Sequence, residues 1–390
     1  MAYDGPTHAP AGAALRVDEF KGASGLVHIA DDLQRLFERI ENRHFVHSPG
    51  WLRAFVACLV ETPDKVRFFV FHRGAHVCAV VALQEQDARA AGPFRVRRHS
   101  LLMHRHATLS DALVAPGESV HEVVAALAGH LDGGALATLI ELPNLLAGGA
   151  ALSALGQGAR LAPRLFIEVA GASAWFDTSS REAAFSGLSS HMRRNLTRQR
   201  RRLEEMGPVA FERIQGERAA TDGVERFVML EASGWKGAAG SAIRMHPRIL
   251  DFYRTLAREL EGNPQVVVYL LAIGSRTVAG SFCIELDDTL HVLKIAYDEE
   301  LHAAAPGNYL LDRMLDEAAA SGVLRRVSLV TSPPWAQRWG ARNDDLLRVL
   351  VFPPGLRGAL LQAALRARRV LRRKPAQDTG IARAAPPPLE

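Results

Sequence analysis

From residue 26 onward the chain alternates between two rhythms of apolar positions. In "DDLQRLFERIEN", Leu33, Leu36, Phe37 and Ile40 recur at i, i+3, i+4 and i+7, the spacing of one helix face behind an acidic start. "SPGWLRAFVACLVE" predicts a second helix, with Ser48 and Pro49 as its start signal. "KVRFFVFHRGAHVCAVVALQEQ" reads as two strands around a turn at Arg73 to Ala75, a hairpin. A helix in "SVHEVVAALAGHL" and a strand in "LATLIEL" complete a unit that ends near residue 185.

The rest of the chain repeats that plan without repeating its sequence. "MRRNLTRQRRRLEEM" predicts a helix stopped by Gly207 and Pro208, and "VAFERI" a strand. "TDGVERFVMLEASGWKG", opening on an N-cap candidate, and "HPRILDFYRTLARELEG" predict two helices. Three strands follow, broken at Gly274 to Arg276 and at Asp287 and Asp288. "GNYLLDRMLDEAAASG" predicts a helix, and "RRVSLV" and "LLRVLVF" strands. Residues 1–25 read as a loose tail without the basic and apolar regions of an export signal, which makes the cytoplasm the expected location. Residues 356–374 predict a basic amphipathic helix, the candidate contact for an anionic membrane or a biosynthetic partner, and the Pro-rich 375–390 predicts disorder.

A length of 390 residues favours two domains. Hydrophobic content of 48% with 23% charged residues is globular, and no run reaches the roughly 18 apolar residues of a membrane span. Cys58, Cys78 and Cys283 lie far apart in apolar runs, which fits buried thiols and predicts no structural metal. The formal charge of +5 admits an anionic partner, and six arginines fall between Arg193 and Arg202. In that helix Met192, Leu196, Gln199, Leu203 and Met206 form a narrow inward stripe, so the arginines fan outward. With no interleaved aromatics and no recognised module around it, the segment argues against nucleic acid. "HSLLMHRHATLSD" holds His99, His104, His106 and Asp111; without a second ligand pair it reads as a loop lining a groove between domains.

In "LHVLKIAYD" a period of two puts Lys294 and Asp298 on one face, with Leu293, Ile295 and Tyr297 on the other. Pro306 and Gly307 then open a helix whose first turn offers free amides and the positive dipole end, a terminus suited to a pyrophosphate.

Four segments carry a resemblance: "RRNLTRQRRRLEEMG" (193–207), "LEASGWKGAAGSAI" (230–243), "KIAYDEELHAAAPGNYLL" (294–311) and "WAQRWGAR" (335–342). In this order, with "FVHSPGWLRAF" (45–55) in the first half, the chain resembles the GNAT acyltransferase superfamily. Within it, the chain is similar to the CelD-like acetyltransferases of cellulose biosynthesis, relatives of the Fem peptidyltransferases. The resemblance implies an α/β fold with mixed sheets in two tandem GNAT-like domains, at 26–185 and 186–355, the second holding the donor site. It implies transfer from acetyl-CoA or another acyl-CoA to an amine or hydroxyl of a small molecule or saccharide, with the exopolysaccharide or envelope pathways as its setting. Pro306, Gly307, Asn308, Tyr309 and Leu310 then meet the cofactor, with Lys294 on the strand beside the pantetheine arm.

Acyl transfer needs a base for the nucleophile and an acid for the leaving thiolate. Tyr297 is the candidate acid, or a core aromatic with its hydroxyl at the rim; Asp298 or Glu231 is the candidate base. Trp235 and Lys236 beside "GAAGSA" suit a lip over the acceptor, and Arg194, Arg198 and Arg338 suit an anionic group. The chain departs from the family at "AAAPGN", which lacks the leading basic residue of the usual phosphate loop, and at Ser328 and Ala336. Two rival readings stand beside this one: an aminoacyl-tRNA-dependent Fem-like transferase, and a catalytically silent binding protein of polysaccharide assembly.

Overall fold

The computed structural model describes residues 14–41, 43–91, 94–132, 137–146, 164–234, 237 and 239–373. The first half runs β1 (Arg16–Lys21), α1 (Gly22–His28), α2 (Ala30–Arg39), α3 (Pro49–Cys58), β2 (Val66–Arg73), β3 (His76–Ala91), β4 (Phe94–Leu101), β5 (Leu113–Val114), α4 (Val120–Leu131), β6 (Ala137–Leu146) and β7 (Leu165–Asp177). The second runs α5 (Arg181–Phe185), α6 (Ser190–Met206), β8 (Val209–Gln215), α7 (Val224–Ser233), α8 (Pro247–Glu259), β9 (Gln265–Ile273), β10 (Arg276–Leu286), β11 (Thr289–Tyr297), α9 (Pro306–Ser321), β12 (Arg326–Ser328), α10 (Pro334–Arg338), β13 (Arg342–Val351) and α11 (Gly355–Arg373).

Serines start four of the helices, among them Ser180, whose hydroxyl accepts from the Ala183 amide in α5. Ser48 Oγ accepts from the Trp51 amide at 3.2 Å, ahead of Pro49, and Ser119 and Ser189 cap α4 and α6 in the same way. α2 begins at Ala30 without a side-chain cap; Asp31 and Asp32 lie inside its first turn and complement the dipole there. α7 is entered through a π-helical turn, Ala219–Gly223, and not from a cap. Arg16–Lys21, in the stretch that reads as a tail, forms an edge strand antiparallel to β2.

Among the described residues the strands join in one mixed sheet, ordered β1-β2-β3-β4-β6-β13-β7-β12-β11-β10-β9-β8, with β5 on β3. Each flank has four antiparallel strands and then one parallel pairing, β4 with β6 and β11 with β12. At the centre the halves exchange their last strands: β13 pairs with β6 through Leu346↔Leu146, and β7 pairs with β12 through Trp175↔Ser328. The result is a mixed α/β sheet built as two similar halves.

One core is common to both halves. Phe45, Trp51 and Phe55 from the first pack with Phe252, Tyr253 and Phe282 from the second, and the Trp51 and Phe252 rings are 5.5 Å apart. Gly50 lets α3 come this close to α8, because a β-carbon there would stand 2.8 Å from Leu260 Cδ2. Across the sheet, α6 and α9 cover the second half with Leu203, Leu310, Met314 and Leu315. α11 packs through Leu361 and Leu365 and leaves Leu356 and Leu360 exposed. Among the described residues no helix is long and apolar enough to cross a membrane.

Candidate active site

β11 and β12 run together for three pairs, Thr289↔Arg326, Leu290↔Val327 and His291↔Ser328, and then part. β11 continues to Tyr297, while the chain after Ser328 turns towards β7, where the Leu329 amide donates to Ala174 O at 2.8 Å. The departure is held by a strained residue: Val330 has φ 63°, a conformation a β-branched side chain rarely adopts, and its amide donates to Ser328 Oγ. The stretch 292–297 of β11 therefore has an open edge on the side away from β10. An extended ligand with amide groups can bond to such an edge as a further strand would.

A bulge revises the faces of β11. Phe282 pairs with Lys294 and Cys283 with Val292, which leaves Leu293 as the extra residue. Leu293 and Ala296 pack on the core common to both halves, whereas Tyr297 packs on the opposite face with Leu290 and Val292. Leu293 and Tyr297 thus do not share a face as strict alternation predicts. Lys294 faces the seam between the halves, near His104, whose pKa is lowered by burial first and then by Arg105 and Lys294.

Beyond β11 a 3-10 turn, Glu299–Ala304, leads to Ala305 in the left-handed region at φ 48°. The first turn of α9 is less open than a bare helix terminus. Pro306 has no amide hydrogen, and the Asn308 and Tyr309 amides both donate to Ala305 O, at 3.0 and 3.4 Å. Among the first-turn amides expected to receive a pyrophosphate, that leaves Gly307. Around it, Asn308 Nδ2 donates to Gln199 Oε1 at 3.2 Å, Tyr309 lies against Glu204 and under the Arg200 guanidinium, and Arg202 donates to Ala303 O at 3.0 Å. Leu310 is buried beneath. The arginine helix therefore flanks this loop through Arg200 and Arg202. Arg194 and Arg198 are exposed, with Arg198 turned onto Asn195, and Arg338 is exposed on α10.

Tyr297 is half-buried against Gly307, and burial first, then Glu299, raises its pKa. Asp298 is buried and occupied: its carboxylate pairs with Arg276 and accepts from the Glu300 amide. Glu231 is buried at the end of α7, where Oε2 accepts from the Ile243 amide at 2.8 Å. Trp235 and Lys236 lie outside the described residues.

The seam holds polar groups that the spacing arguments missed. His106 Nδ1 lies 3.1 Å from the Tyr253 hydroxyl, so the loop after β4 reaches the junction of the halves there, whereas His99 is buried on β4 itself and belongs to no loop. Among the described residues no group of three His, Cys, Asp or Glu side chains converges on a metal position. Deeper in, His44 and His47 from the first half meet His291 of β11, with the His44 and His291 ring centroids 4.7 Å apart. His47 Nε2 lies 3.6 Å from Asp111 Oδ2; burial lowers the His47 pKa to about 4 and raises that of Asp111 to about 7. The only sequence signal for this cluster was "RHFVHSPG", which reads as the approach to a helix.

Residues 190–339, from α6 through the parted strands to Trp339, match the acetyltransferase (GNAT) domain family. No curated protein matches the chain. Among solved structures the chain is similar to FemX, at 11% identity and a TM-score of 0.54, with 86% of this chain and 98% of that chain covered. It is also similar to L-PGS from Bacillus licheniformis, at 10% identity and a TM-score of 0.52, with 86% and 96% covered. Likeness at these identities is likeness of fold. The chain shares the mixed α/β fold of these structures over most of its length, and its residues 190–339 match the GNAT acetyltransferase domain family.

Proposed function

We propose that the protein transfers an acetyl group from acetyl-CoA to an amine or hydroxyl acceptor that enters along the seam between the halves. The observation that carries this reading is the parting of β11 from β12 beyond His291↔Ser328, inside the matched domain. The open edge of 292–297 takes the pantetheine arm by main-chain hydrogen bonds. The Gly307 amide and the dipole of α9 receive one phosphate, with Arg200 and Arg202 supplying charge beside Pro306, Asn308, Tyr309 and Leu310. Lys294 is assigned to the reacting end, since it faces the seam. Tyr297, packed against Gly307 and roughly 20 Å along the strand from His291, borders the phosphate end of the donor and is assigned to binding it rather than to the thiolate.

Glu231 and Asp298 are the two candidate bases; Glu231 accepts from the Ile243 amide, and Asp298 pairs with Arg276 and accepts from the Glu300 amide. Arg194, Arg198 and Arg338 are the candidates for an anionic group on a small-molecule or saccharide acceptor of exopolysaccharide or envelope assembly. We divide the protein into two units that meet near residue 185, the first including β1 and α1, joined by the exchanged strands, and assign the reaction to the cytoplasm. α11, with Leu356 and Leu360 exposed beside Arg357, is the surface for an anionic membrane, tested by co-sedimentation with phosphatidylglycerol vesicles.

The exposed arginines of α6 favour one alternative, an aminoacyl-tRNA donor. Calorimetry with acetyl-CoA and with charged tRNA, side by side, separates the two. Binding of acetyl-CoA alone supports the acyl-CoA donor; binding of tRNA alone overturns it.

A further inference from the structure

His291 sits at the apex of the parted strands, as the last residue of β11 to pair with β12. A ligand lying along the open edge brings its far end to this point. The residue is 7% exposed, and its Nδ1 is buried with no hydrogen-bond partner. An orphaned polar atom of this kind needs a reason.

The reason offered by its neighbours is His44. His44 Nδ1 accepts from the Val46 amide at 3.4 Å, so the proton of its neutral ring is on Nε2. That Nε2 is itself buried without a partner. Donor and acceptor are thus both buried without a partner, in rings whose centroids are 4.7 Å apart. A small ring rotation, or one bridging water, joins them. With Nδ1 of His291 accepting from His44, its own proton must be on Nε2.

We propose, resting on the acyltransferase reading above, that His291 is a catalytic hydrogen-bond donor to the thioester carbonyl oxygen, and that His44 is the positioning residue that sets its tautomer from the other half of the chain. The acceptor nitrogen attacks the carbonyl carbon, and the C=O electron pair moves onto oxygen, where it accepts from His291 Nε2–H. Collapse re-forms C=O, breaks C–S and expels the thiolate, and the proton lost by the acceptor ends on sulfur. His291 keeps its proton throughout. Burial, and then Arg326 of β12, hold its pKa down to about 3, so it stays neutral from pH 5 upward; the other groups facing the pair are His47 and the Phe45 ring. A neutral imidazole used as a donor needs no protonation at the moment of reaction.

The test uses the full chain with acetyl-CoA as the probe and water as the acceptor, following thiol release. His44→Leu should bind acetyl-CoA within about twofold of wild type and release thiol on the order of 100-fold more slowly. His44→Gln, whose side-chain amide can donate from the place of Nε2, should recover most of that rate, and the wild-type rate should have no acid limb near pH 6.5. Wild-type release no faster than that of His44→Leu or His291→Phe overturns the proposal. A second arm reads the tautomer directly, through long-range proton–nitrogen spectra of histidine-labelled protein, with His291 assigned by its loss in His291→Gln. A proton on Nε2 that redistributes in His44→Leu supports the proposal, and a proton on Nδ1 in wild type overturns it. Failure of wild type to bind acetyl-CoA sinks the acyltransferase reading, while the tautomer arm still decides the His44–His291 relationship.

Discussion

Gly307 lies against the ring of Tyr297: a β-carbon added to the glycine would stand 3.8 Å from both Tyr297 Cβ and Cδ1. That is ordinary contact, and Gly307 is helical, so neither space nor backbone strain forbids alanine at this position. A large side chain has to displace Tyr297 or fill the approach to the one unbonded amide. Gly307→Ala should therefore bind acetyl-CoA close to normally, while Gly307→Trp should abolish binding and leave the melting temperature near wild type. Calorimetry and a thermal melt on both variants check this, and unchanged affinity in the Trp variant removes the donor from this loop.

Tyr297 borders the phosphate end of the donor through Gly307. Tyr297→Phe should therefore leave kcat within about twofold of wild type and raise the KM for acetyl-CoA by no more than about 10-fold, the loss of one hydrogen bond. Burial, and then Glu299, keep the hydroxyl protonated beyond its usual range, so its contribution to binding should hold into mildly alkaline solution. A kcat lowered on the order of 100-fold would instead make Tyr297 the acid for the thiolate.

Ala305 has φ 48° at the entrance to α9. A left-handed alanine costs roughly 1–2 kcal/mol, against about 0.5–1 for the extra freedom of glycine in the unfolded chain. Ala305→Gly should thus stabilise the protein by about 0.5 kcal/mol, read as a small rise in denaturation midpoint. A fall would show that the methyl group carries packing worth more than the strain.

Asp111 gives the seam a pH dependence. Its folded pKa of about 7 lies above the unfolded value near 3.8, so the stability it contributes is complete below that lower value and is lost as pH rises through 7. Asp111→Asn keeps an oxygen for the Ala112 amide and removes the titration. The variant should gain stability over wild type between pH 5 and pH 8, on the order of 2 kcal/mol. Parallel melting curves at the two values check it, and a constant difference contradicts it.

Much of the fold could be read from local signals, because those signals are local chemistry. Ser48, Ser119 and Ser189 start helices by bonding amides three residues on, and Gly74 and Gly274 turn hairpins with φ near 60°. β1 was not readable: "RVDEFK" is a short edge strand with a mostly charged exposed side, the pattern of a tail as much as of an edge. The exchange of β7 and β13 depends on pairings between residues more than 150 positions apart, such as Trp175 with Ser328, on which neither segment's own pattern bears. The candidate site divides in the same way. Tyr297, Gly307 and Asn308 could be singled out as candidates because a strand, a turn and a helix start are contiguous in sequence. The Leu293 bulge, the occupied carboxylate of Asp298, and the meeting of His44, His47 and His291 are set by packing between distant segments.

The transferase reading stands or falls with the edge of β11 past His291 as the seat of the donor. Hydrogen exchange over residues 292–297, with and without saturating acetyl-CoA, is the decisive experiment. Amides facing away from β10 should exchange quickly in the free protein and at least about 10-fold more slowly with ligand, as new hydrogen bonds protect them. Exchange that does not change there, at a concentration that saturates binding by calorimetry, would contradict that placement.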